Sequence, residues 1–142
     1  MTSPKHVARP PVHMIDTQAD ALSDLALRTE DRNPEVSALL LEEITRAKIH
    51  VAAKIPGDVV TMHARVEFVD ESRGVPHVVE LVWPGEADFA AGRLSVMTPT
   101  GAGLIGLREG GSIDWPDREG RERRLTIVKV TQPGLITGQD GR

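Results

Sequence analysis

The chain has 142 residues, a formal charge of −4 and 27% charged side chains, the size of one domain or of one domain with a short appendage. Two Trp, two Phe and no Tyr leave an aliphatic core and argue against an aromatic-lined ligand pocket or a ladder of rings for stacking on bases. The lack of cysteine excludes disulfides, a thiolate nucleophile and Cys-based zinc sites and fits a reducing cytoplasm, and no apolar run approaches the ~20 residues of a membrane span.

Residues 1–14, with Pro4, Pro10 and Pro11 among polar groups, carry no period and read as a flexible tail without the form of a secretory signal. Ile15, Ala19, Leu22 and Ala26 then recur at helical steps, with Asp16 or Thr17 placed to cap the first turn. The run ends in Arg28-Thr29-Glu30-Asp31-Arg32-Asn33-Pro34. Asn33 before Pro34 marks a new helix start, and Val36, Leu39, Leu40, Ile44, Ala47 and Val51 extend the second helix towards Ile55-Pro56-Gly57. Two such helices joined by a short polar loop predict an antiparallel helical hairpin, a short coiled-coil arm over residues 15–55.

After Asp58 the period changes to two. Val60, Met62, Ala64, Val66 and Phe68 alternate with polar residues, Asp70 to Gly74 has turn chemistry, and Val79, Leu81 and Trp83 alternate again before Pro84-Gly85. A third strand over residues 93–97 leads through Thr98-Pro99-Thr100-Gly101 to an apolar, glycine-rich segment, residues 102–107, that predicts one or two helical turns. Further strands are expected over residues 112–115 and 122–130, and residues 132–142 read as a second flexible tail. The expected fold class is α+β, a helical hairpin followed by an antiparallel sheet domain with one short helix over residues 56–131.

Four segments carry a family resemblance: Gly57-Asp58-Val59-Val60-Thr61-Met62, Leu81-Val82-Trp83-Pro84-Gly85, Leu94-Ser95-Val96-Met97-Thr98-Pro99-Thr100-Gly101, and Leu104-Ile105-Gly106-Leu107 leading through Gly110 to Ile113-Asp114-Trp115. In this order and spacing the chain resembles the regulator of nucleoside diphosphate kinase group, relatives of the GreA/GreB transcript-cleavage factors. The arm matches only in kind. The resemblance implies an FKBP-like C-terminal domain and binding to RNA polymerase at the rim of its secondary channel. It places Met97, Thr98, Pro99, Thr100 and Gly101 at the polymerase-binding surface, Thr98-Pro99 standing where Gre-type proteins have Ser-Pro. Met97 replaces a commonly acidic residue, which removes one charge contact. The group's name also points to an effect on nucleoside diphosphate kinase. From the residues alone, Pro99 stiffens the loop and disfavours helix at Thr98, which fits either a docking loop or a strand-to-helix connector capped by Thr98.

Transcript-cleavage factors use paired acids at an arm tip to help hold a second magnesium ion, and the tip here offers Glu30, Asp31 and Glu35. A helix of ~15 residues is only ~22 Å long, and Arg28 and Arg32 flank the acids, so the expectation is no catalytic residue, no resident metal and no cofactor. The arm would act by occlusion of the channel or competition for it. The alternatives are a Gre-like cleavage factor using Glu30 and Asp31, and a peptide-binding or prolyl isomerase module, for which only Phe68, Trp83, Phe89 and Trp115 are available as aromatic side chains.

Arg118, Arg121, Arg123 and Arg124 form the one basic concentration, broken by Glu119 and Glu122. Their mixed signs read as a solvated hairpin rather than a strong independent nucleic-acid site. His6, His13, His50, His63 and His77 show no metal-ligand spacing, and Gly101-Ala102-Gly103 lacks the rest of a phosphate-binding fingerprint. Together with the resemblance, the sequence is expected to encode a cytoplasmic, non-enzymatic regulator whose partner is RNA polymerase, with no membrane association. Its oligomeric state is open, self-association through Leu39, Leu40 or Leu41 being allowed.

Overall fold

The computed structural model describes residues 10–71, 73–116 and 119–133. Strand β1 (His13–Ile15) runs directly into helix α1 (Asp16–Arg28), and helix α2 (Pro34–Arg46) follows with Pro34 in its first turn, where a missing N–H costs nothing. The two helices pack on each other, and their buried residues Leu22, Leu25, Ala26, Val36 and Leu40 belong to the same core as the sheet.

Two expectations about this region are corrected. The tail placed at residues 1–14 does not extend through its last residues: Val12 and Met14 are 1% and 2% exposed. Residues 1–9 lie outside the described residues. The second helix stops at Arg46 rather than near Ile55, and Lys48–His50 forms strand β2, parallel to β1 with Ile15 opposite His50. The Lys48 amide donates to the Val12 carbonyl at 2.7 Å, so a partner some 35 residues upstream in sequence overrides the helical pattern that Ala47 and Val51 would continue.

The second sheet has the order β5-β4-β3-β7-β6, built from β3 (Arg65–Asp70), β4 (Val75–Val82), β5 (Arg93–Ser95), β6 (Ser112–Pro116) and β7 (Glu122–Thr131). All pairs are antiparallel except β4 with β5, where the chain returns in parallel register, Leu81 opposite Leu94. The register between β3 and β7 shifts at Glu67/Phe68, where Lys129 pairs with Glu67 and Ile127 with Phe68. Val128 is left over and exposed, as in a β-bulge.

The first expected strand begins later than its alternation implied. His63 takes a left-handed backbone, φ +68°, which breaks extended structure, and Val59, Val60, Thr61, Met62 and Ala64 are all buried. This irregular segment crosses the core and pairs with the turn after helix α3 (Pro99–Leu104), the Val60 amide donating to the Leu107 carbonyl at 2.8 Å. Helix α3 starts three residues before the expected 102, because Thr98 accepts a hydrogen bond from the Gly101 amide at 3.0 Å and caps it. Gly103 sits against Trp115, where a Cβ would lie 2.8 Å from the indole, so the helix can approach β6 only without a side chain there.

Candidate functional site

The loop from Met97 to Gly101 is held from below at every turn. The Thr98 hydroxyl donates to the Ser95 carbonyl at 2.8 Å while accepting from Gly101. The Met97 amide donates to the Ser95 hydroxyl at 2.9 Å, and the Trp115 indole N–H donates to the Pro99 carbonyl. The connector and the stiff docking loop, which sequence left as alternatives, are therefore compatible: the hydroxyl of Thr98 is spent on the backbone, and the stiffness follows from it. Met97, 9% exposed, and Gly101 face the core. Thr98, Pro99 and Thr100 are all half-buried, and Pro99 and Thr100 form the crest that lines the neighbouring concavities.

That crest divides two concavities. Pro99 lines a groove of about 810 Å3 between α2 and the end of β6, with Val36, Leu39 and Leu41 forming apolar walls and Glu35, Glu42 and Glu119 among its acidic residues. Thr100 lines a second cavity of about 480 Å3 on the sheet, floored by Phe68, Val79, Leu94, Trp115 and Leu125 and rimmed by Arg73, Arg121 and Arg123. Phe89 stands over it with 84% of its surface exposed, carried on a 3-10 turn that Asp88 caps at the Ala91 amide and Gly92 ends in left-handed geometry. His77 stacks on Phe68 with ring centroids 5.2 Å apart. The aromatic content that argued against a pocket of this kind is thus concentrated in one place, three of the four Phe and Trp side chains lining this cavity.

The expected arm tip lies beside the expected docking loop. Asn33 is the residue before α2, but its side chain makes no cap; instead its amide donates to the Met97 carbonyl at 3.2 Å. Glu35 opens onto the same groove as Pro99, whereas Glu30 and Asp31 are exposed and line neither concavity. Arg28 and Arg32 are exposed with them.

The arginine-rich turn is paired with acids. Arg121 contacts Glu119 at 3.3 Å, Arg123 contacts Asp70 at 3.5 Å, and Arg124 chelates Asp114 at 2.9 and 3.2 Å, which raises its pKa. Arg118 lies outside the described residues. Among the histidines, His63 bonds Glu86 at 2.8 Å and holds that carboxyl below its ordinary range, assisted by the Trp83 amide. His13 and His50, which no spacing in the sequence connects, meet at 3.0 Å. Among the described residues, no three His, Asp or Glu side chains converge as a metal site.

Residues 55–132, which include the five-stranded sheet, the crest and the cavity beneath Phe89, match the family described as transcription elongation factor GreA/GreB, C-terminal. The chain belongs to the GreA/GreB family. It is 33% identical over 124 residues to the regulator of nucleoside diphosphate kinase of Escherichia coli strain K12, covering 87% of this chain and 91% of that one. It is 32% identical over 134 residues to the transcription elongation factor GreA of Azorhizobium caulinodans, covering 89% and 85%. Among solved structures, the GreA/GreB factor of Nitrosomonas europaea superposes with a TM-score of 0.69 at 31% identity, covering 87% of this chain and all of that one. For a GreA/GreB protein the first two matches are informative together, since both extend well upstream of the family's C-terminal segment and so include the helices. No helix among the described residues is long and apolar enough to cross a membrane.

Proposed function

We propose that this GreA/GreB protein is a transcription regulator that binds RNA polymerase at the rim of the secondary channel and acts by occupying or competing for that opening, without cleaving RNA. The observation that carries the reading is the crest of Pro99 and Thr100, fixed by Thr98 and Trp115 and flanked by two concavities. A surface ordered before binding loses little entropy when it docks. The cavity under Phe89 extends the docking surface, because a side chain exposed to this degree on a capped turn gains from being covered. The sheet with its short helix over Trp115 is read as the FKBP-like module of the family. Its use is docking rather than prolyl isomerisation, since fold alone confers no activity.

The helices support occlusion over catalysis. Each has 13 residues, about 20 Å at 1.5 Å per residue, and the loop between them is tied to Met97 rather than extended away from the sheet. Its acids Glu30 and Asp31 are not gathered with Glu35, which turns to the groove. The test is retention of RNA polymerase by the immobilised protein, wild type against the Thr98→Ala, Pro99→Ala double variant. Loss of retention in the variant is expected. Equal recovery would remove the crest from the interface, and no recovery with either protein would remove polymerase as the partner.

A further inference from the structure

Besides its ladder with β2, the amino-terminal segment is tied to the rest of the molecule by further hydrogen bonds. The His13 amide donates to the Gly106 carbonyl at 2.9 Å, the Lys48 amide to the Val12 carbonyl at 2.7 Å, and Arg46 reaches the Pro10 carbonyl at 2.8 Å. Val12 fits so closely against Gly106 that a Cβ there would lie 2.4 Å from its methyl group, and Gly106 has φ +86°. The β1–β2 pair is separate from the five-stranded sheet, so it can open without unzipping that sheet. Between its strands, Nδ1 of His13 lies 3.0 Å from Nε2 of His50, with the rings tilted by 34°.

We propose that β1–β2 is a proton-operated clasp: it is closed while His13 and His50 share one hydrogen between the facing nitrogens, and it opens when both imidazoles are protonated. An N–H···N bond needs one donor and one lone pair, and two imidazolium rings present only donors. Two cations at that distance also repel. The groups around them reinforce this. Lys48 on β2 and Arg108 beyond α3 add positive charge near His13, and the acid that opposes them, Asp58, is bonded to Arg108 at 2.9 Å. Burial above all, then His50, Arg108 and Lys48, hold the His13 pKa below its ordinary 6.5, with Asp58 acting in the other direction.

The sign follows directly. The closed form binds a proton on His13 less readily than the open chain does, so its advantage is complete above about pH 6.5 and declines as the pH falls below that value. Acid therefore frees Val12 and Met14, two apolar side chains, from the core while the five-stranded sheet persists.

Hydrogen exchange followed by NMR, with protection factors corrected for the intrinsic pH dependence of exchange, tests the clasp. Between pH 7.5 and 5.5 the amides of His13 and Lys48 in the wild type are expected to lose at least tenfold in protection, with the β3 and β7 amides unchanged. In His50→Gln, where the amide can hydrogen-bond without titrating, the loss is expected to vanish. Unchanged protection of His13 and Lys48 in the wild type overturns the proposal, as does an undiminished loss in both His50→Gln and His13→Gln. Should the variants not fold, the wild-type imidazole titrations decide: two linked steps support the clasp, and two independent titrations at ordinary histidine values overturn it.

Discussion

The side-chain amide of Asn33 donates to the carbonyl of Met97 across 3.2 Å, joining the loop between the helices to the base of the crest. Met97 precedes the residue that caps α3, and Trp115 holds the next residue after that cap. The helical pair, the crest and the floor of the Phe89 cavity are therefore coupled through four consecutive steps of chain and hydrogen bonding. Pro99 and Glu35 line one groove, so the crest and the start of α2 present a continuous surface.

Asn33→Ala is expected to lower unfolding stability by about 1 kcal/mol, the usual worth of one internal hydrogen bond, seen as a lower urea midpoint at constant slope. No cap is lost, because the Asn33 side chain makes none. A midpoint identical to wild type would show that the bond does not fasten the helices to the sheet.

Phe89→Ser separates docking from folding. With Phe89 already 84% exposed, the change should leave stability within about 0.5 kcal/mol, yet polymerase retention should fall, because the cavity loses its most exposed apolar wall. Full retention by a folded Phe89→Ser protein would exclude that cavity from the docking surface.

Local chemistry made much of this arrangement readable. Thr98 before Pro99 is a cap signal and acts as one, the turn near Gly74 joins two strands as its residues require, and the apolar alternation of β7 survives a bulge. What stayed hidden depends on partners distant in sequence. The helical period through Ala47 could not register that Val12 would offer a carbonyl to Lys48, and alternation from Val60 could not register the left-handed turn at His63. The Phe89 cavity was equally invisible, since Phe68, Phe89 and Trp115 come from three separate segments and only folding puts them around one space.

Gly103→Ala probes the seat of α3. The added methyl would meet the Trp115 ring at 2.8 Å, and because that indole also holds the Pro99 carbonyl, displacing it should disturb the crest as well as the core. Overpacking of this kind costs about 1–3 kcal/mol. Thermal unfolding and polymerase retention should therefore fall together, and a stable variant with normal retention would mean that the indole bond does not position Pro99.

Asp31→Ala tests the absence of chemistry at the tip. If Glu30 and Asp31 helped to hold a catalytic magnesium ion, this protein would stimulate RNA cleavage in backtracked polymerase, and removing one carboxylate would abolish most of the effect. The geometry predicts otherwise: both acids are exposed, Glu35 faces the groove by Pro99, and the loop is anchored at Asn33. Wild type and Asp31→Ala should both leave the cleavage rate at that of polymerase alone, while both slow a cleavage factor added afterwards, because a blocked channel mouth excludes any second occupant. Stimulation by the wild type that disappears in Asp31→Ala would replace occlusion with catalysis, and a cleavage factor unhindered by excess wild type would show that the channel mouth is not where this protein sits.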